Sequence, residues 1–150
     1  MSQSLVKNYV HIVFSTKYRE RTIIPTVASD LYEYIGGICS NLKCNPVVVG
    51  GYVDHMHILC LLSKNIALAN LVRNIKGDSS LWIKTKFLGL NNFYWQNGYG
   101  AFSVGPGRVE IVKKYILNQY EHHQKLTFQD EFRKYLHRYK IAYDERYVWD

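Results

Sequence analysis

The chain has 150 residues (17.6 kDa), 47% of them hydrophobic and 21% charged, a balance that supports a buried core and excludes a disordered polyelectrolyte. Nineteen Lys and Arg against twelve Asp and Glu leave a net charge of +7, and 13 tyrosines feed an aromatic content of 15%. Basic charge with exposed rings favours a polyanionic partner with bases to stack on.

The charge is spread over both halves of the chain rather than gathered in a tail, so an electropositive surface has to be assembled by folding. Cys39, Cys44 and Cys60 are odd in number, have no CxxC spacing and read as reduced thiols. The start, MSQSLVKNYVHIVFS, lacks a signal-peptide pattern, and no apolar run approaches the ~18 residues that span a bilayer. A soluble, cytoplasmic protein with no membrane partner is expected.

Taken in order, Tyr9 to Thr16 is β-branched and aromatic and predicts a first strand. Val27 to Leu42 has Leu31, Tyr34, Ile35 and Ile38 at helical spacing behind Pro25, weakened by Gly36-Gly37. Val47 to Val53 and His55 to Leu62 predict two strands separated by a turn at Asp54, hence an antiparallel hairpin. Ala67 to Phe87 predicts a second long helix, with a possible kink at Lys76-Gly77-Asp78-Ser79-Ser80. Phe93 to Val104 reads as strand-rich around a glycine turn. Pro106-Gly107 opens a helix from Arg108 to about Gln124, and Thr127 with Asp130 and Glu131 resembles a capping box for a last helix through Lys140. The order β-α-β-β-α-β predicts an α+β, ferredoxin-like antiparallel sheet with both helices on one face, leaving the other face for a ligand. Two further helices follow. The chain is expected to be one domain over residues 1–150, with a core over about 5–125 and an extension over about 126–150.

His55-Met56-His57 lies inside an apolar strand, so alternation puts both imidazoles on one face, about 7 Å apart by a ~3.3 Å rise per residue. Two such histidines can close on one divalent cation. Tyr115 and Gln119 are four apart and stack on one helix face, while Val109, Val112 and Ile116 form an apolar stripe that should pack on the sheet edge. Gln119 offers a neutral oxygen as a third ligand. His55, His57 and Gln119 then suit Mg²⁺ or Mn²⁺ with positions left open for a substrate. Such a cation would polarise a phosphodiester, and the Tyr115 phenol would be a covalent nucleophile that stores the bond energy for re-joining.

GGYVDHMHILCLL, KGDSS, FYWQNGYGAFSV and YILNQYEHH, in that order, resemble the HUH-type single-tyrosine transposases (TnpA) of the insertion-sequence-200 group, a family that includes REP-associated and other chromosomal relatives. The resemblance runs from HIVFSTKYR to YDERYVWD. It implies an enzyme that cuts and re-joins single-stranded DNA at hairpin-marked element ends through a 5′-phosphotyrosine. Tyr115 matches the nucleophile, and His55, His57 and Gln119 match the metal ligands. It also implies a homodimer in which the tyrosine helix of one subunit can complete the partner's site. The stretch from Thr127 to Asp150, rich in Lys, Arg and Tyr, exceeds the shortest family members; it either caps the tyrosine helix or binds DNA.

Lys17, Arg19, Arg21, Arg73 and Lys76 are candidate phosphate contacts, and His122 and His123, one turn past Gln119, are DNA-facing or near the metal. His11 faces the site or is structural. Trp95, Tyr99 and Phe102 stack on bases or pack in the core. Two alternatives stand beside the transposase: a domesticated nickase or ligase acting on repeated chromosomal hairpins, and a non-catalytic nucleic-acid-binding module. The module is disfavoured because no RNA-recognition signature is present.

Overall fold

The computed structural model describes residues 1–150, and its two central strands are buried on both faces along nearly their whole length. The strands are β1 (Tyr9–Ser15), β2 (Pro46–Tyr52), β3 (His55–Leu61) and β4 (Gly100–Val104), and the helices are α1 (Pro25–Asn41), α2 (Leu68–Lys86), α3 (Val109–Leu117), α4 (Gln119–His122) and α5 (Phe128–Arg138). All pairings are antiparallel, in the order β2-β3-β1-β4 expected of a ferredoxin-like unit. No helix is long and apolar enough to cross a membrane.

In an antiparallel pair, residues directly opposite share a face. Ile12 faces Ile58 and Phe14 faces Met56, and these residues join Leu31, Ile35, Leu71 and Ile75 of α1 and α2 in the main core. On the other face Val13 lies opposite His57 and Ser15 opposite His55. The β1–β3 register therefore decides what surrounds the two histidines.

The sheet face expected to stand open is covered. Phe128, Phe132 and Leu136 of α5 pack on Val13 and Phe102, while Ile116 of α3 packs on Leu59 and Val104. Val109 and Val112 join the second cluster, as their stripe predicts. The extension is thus a lid on the sheet and not only a cap on the tyrosine helix. Thr127 caps α5 by accepting the Asp130 amide at 3.2 Å.

Two helix expectations change. α2 runs unbroken through the Lys76–Ser80 segment, because Ser79 returns its hydroxyl to the Ile75 carbonyl at 2.5 Å and Ile75 and Ile83 are buried. The helix expected from Arg108 to about Gln124 breaks at Asn118, whose backbone (φ −99°, ψ 20°) leaves the helical region and separates α3 from α4. Of the strand-rich 93–104 segment only β4 is a strand; Trp95 makes an isolated bridge to Thr16.

Gly51 sits at the end of β2 with φ +152°, and a Cβ there would lie 2.2 Å from the His55 carbonyl oxygen. Gly50 beside it admits Ile116, whose Cγ2 would be 2.9 Å from a Cβ. Gly51→Ala is therefore expected to destabilise the hairpin that carries His55 by roughly 1–3 kcal/mol. Thermal denaturation checks this: a midpoint within a degree of the parent would show that the hairpin relaxes freely.

Candidate functional site

β3 places His55 and His57 on the covered face, where both are fully buried. Each ring is oriented through one nitrogen. His55 Nδ1 is 2.7 Å from Asp54 Oδ1, and His57 Nδ1 is 2.8 Å from His11 Nε2. The Nε2 atoms are left to converge, which is the arrangement that outer partners impose on ligating histidines. His11, open between two readings at the level of sequence, thus supports the site from β1.

Gln119 and Tyr115 reach the same point across the break at Asn118. Gln119 Oε1 is 2.9 Å from His55 Nε2. The residue that sequence reasoning missed is Glu131 of α5, only 1% exposed. Its Oε1 lies 3.0 Å from His57 Nε2 and 3.4 Å from His55 Nε2. Its Oε2 accepts from Gln119 Nε2 at 3.0 Å and from the Tyr115 hydroxyl. One carboxylate therefore joins the histidine pair to the tyrosine.

His123, expected to face DNA or the metal, is turned inward. Its Nδ1 donates to the Leu126 carbonyl at 2.6 Å, and its Nε2 lies 2.8 Å from Gln119 Oε1 and 3.4 Å from Glu131 Oε1. His122 lies instead beside Tyr115, with ring centroids 4.6 Å apart and the planes tilted by 36°.

The electrostatics follow from this crowding. Burial disfavours the charged form of His55, but Asp54 and Glu131 outweigh it and raise its pKa to about 9. For His57 burial prevails over Glu131 and lowers the pKa. Burial alone would raise Glu131, yet His57, His123 and His55 hold its carboxyl well below the usual carboxylate range. Tyr115 is pushed far up, first by burial and then by Glu131.

His55 Nδ1 faces the Asp54 carboxylate and its Nε2 faces the acceptor oxygens of Gln119 and Glu131, so either a proton or a cation has to lie at Nε2. Lone pairs facing lone pairs are stable only with a proton or a cation between them. The ligand atoms of His55, His57 and Glu131 lie within 4.8 Å of one another, so this buried group could hold a metal ion. Two imidazoles, a carboxylate and an amide oxygen form a mixed nitrogen–oxygen set.

The remaining candidates are dispersed. Lys76 does not serve as a free phosphate contact: its ammonium donates to the carbonyls of Gln96, Asn97 and Gly98 at 2.8, 3.1 and 2.6 Å and clamps that loop. Arg19 donates to the Trp149 carbonyl at 3.0 Å, Arg21 lies over the Tyr52 ring at 5.6 Å, and Lys17 lies over Tyr18 at 5.5 Å. Arg73 is on the exposed side of α2, bonded to Asn70 at 3.3 Å. Trp95 and Phe102 are core residues, 6% and 2% exposed, and not stacking platforms; Tyr99 remains partly exposed. The three cysteines are buried and free.

Comparison with known proteins places the chain in a family. The profile of the family described as "Transposase IS200 like" matches residues 4–119. The ISDra2 transposase TnpA of Deinococcus radiodurans is 24% identical over 118 residues, spanning 74% of this chain and 83% of the relative. A crystal structure of a transposase from Deinococcus radiodurans R1 superposes with a TM-score of 0.62 at 21% identity, covering 79% of this chain and 98% of that one. A REP-associated tyrosine transposase bound to a REP hairpin superposes at 0.61 with 16% identity, covering 84% and 74%. The family match ends at Gln119, and His123 and Glu131 lie beyond it. With the profile matching residues 4–119 of 150, a span that holds the sheet, the histidine pair, Tyr115 and Gln119, the chain belongs to the IS200-like transposase family.

Proposed function

We propose that this transposase cuts and re-joins single-stranded DNA at hairpin-marked ends, with Tyr115 as the nucleophile and His55, His57, Gln119 and Glu131 around a divalent cation. The observation that carries the reading is the Glu131 carboxylate, which touches the Tyr115 hydroxyl with one oxygen and the histidine pair with the other. A nucleophile and a Lewis-acid site lie on opposite sides of a single group.

When bound, the cation polarises the phosphodiester and offsets the charge that develops on it. Mn²⁺ or Mg²⁺ is the proposed ion, and the two imidazoles favour Mn²⁺. Glu131 Oε2 orients the phenol, whose proton leaves as the Tyr115 oxygen bonds to phosphorus and ends on the departing 3′-oxygen. The bond from phosphorus to the 3′-oxygen breaks, leaving a 5′-phosphotyrosine and a strand ending in a 3′-hydroxyl that takes the proton. Reversal by another 3′-hydroxyl re-joins DNA, and no water-activating group is needed. Because burial and Glu131 raise the Tyr115 pKa, the phenol is protonated at neutral pH and gives up its proton only as its oxygen bonds to phosphorus. Tyr115 meets Glu131 of its own chain, which favours a site completed within one subunit over one shared across a homodimer. The hairpin-bound structural relative supports hairpin DNA as the partner.

The test is incubation of the protein with end-labelled hairpin DNA carrying single-stranded flanks and Mn²⁺, followed by a denaturing gel. A labelled band retained on protein that disappears with chelator is the expected outcome. Cleaved DNA without a covalent adduct would replace this reading with hydrolysis.

A further inference from the structure

Behind the site, on the far side of His11, a cavity of about 280 Å³ opens between the end of β4, the start of α3 and the second half of α5. Its lining includes His11, Arg108, Val112, Tyr135, Arg138 and Tyr139. The walls are rigid: the Tyr135 and Tyr139 rings lean on Phe102 with centroids 5.0 and 4.9 Å away, and the Tyr139 hydroxyl donates to the Ser103 carbonyl at 2.9 Å. Arg108 and Arg138 are solvent-exposed cations on the same lining. His11 is 1% exposed and uses Nε2 on His57, so its Nδ1 makes no hydrogen bond within the protein. An imidazole with a free nitrogen on a cavity lining can bond a polar group that enters the cavity.

We propose that this cavity is a subsite for one unstacked nucleotide of the single strand, its base against Tyr135, Tyr139 and Val112, its phosphate near Arg108 and Arg138, and His11 bonding the base or sugar. The inference rests on reading the neighbouring centre as a site for single-stranded DNA. The volume suits one nucleotide and not a duplex, and aromatic walls beside cations are what unstacked bases are held by.

A pentanucleotide with 2-aminopurine at its centre tests this by fluorescence, using the whole protein with no metal added. Quenching is expected. Arg138→Ala and Tyr139→Ala, both at exposed positions, should weaken binding several-fold. Absence of quenching, unchanged affinity in both exposed variants, or full displacement by inorganic phosphate at equal concentration would each overturn the proposal. A parent protein that forms the covalent adduct yet fails these tests loses the subsite alone; one that forms no adduct loses the functional reading instead.

Discussion

Tyr115→Phe should leave hairpin binding intact and reduce the covalent protein–DNA adduct by roughly 10⁴-fold or more, the order seen when a covalent nucleophile is removed. The substitution deletes a single oxygen, whose partner in the site is Glu131 Oε2. Gln119 Nε2 still donates to that oxygen at 3.0 Å, so the carboxylate is not stranded and the fold should survive. The measurement pairs adduct formation on a denaturing gel with hairpin affinity by anisotropy. Persistent adduct in the variant would move the nucleophile elsewhere among the thirteen tyrosines, with Tyr135, ring centroid 6.0 Å from Tyr115, as the nearest alternative.

Glu131→Gln is the second large expectation. It keeps the shape of the side chain and removes the anionic oxygen beside His57 and His55. Cation affinity measured by calorimetry should fall by about 10–100-fold or more, since even outer partners of a metal site are worth that much. The parent protein should bind its cation more tightly as pH rises. His55 has a pKa raised to about 9, so at neutral pH a proton competes for the nitrogen lone pair that the ion needs. Affinity therefore increases up to about pH 9 and levels off above it. Unchanged affinity in Glu131→Gln would return the metal site to His55, His57 and Gln119 alone and reduce Glu131 to an orienting group for Tyr115.

Glu131 also shows how a site residue hides in a sequence. Next to Thr127 and Asp130 it reads as first-turn acid for a helix start, and Thr127 does cap through the Asp130 amide. The available signal was different: Glu131 lies on the same helical face as Phe128, Phe132, Tyr135 and Leu136, a carboxylate on an apolar stripe. A charge on that stripe is buried only if something pairs with it. His123 carried a similar signal, four residues after Gln119 and hence on its face.

Periodicity along the chain was enough to determine the βαββαβ order and the common face of His55 and His57, because each depends on residues within one or two turns or pleats of each other. Long-range docking decided the rest. The β1–β3 register put His11 behind His57, and the packing of Phe128, Phe132 and Leu136 on Val13 and Phe102 drove α5 onto the expected open face and carried Glu131 into the centre. Burial of apolar area has no direction along the sequence, so which distant helix covers a sheet face is settled only when the whole chain has found its packing.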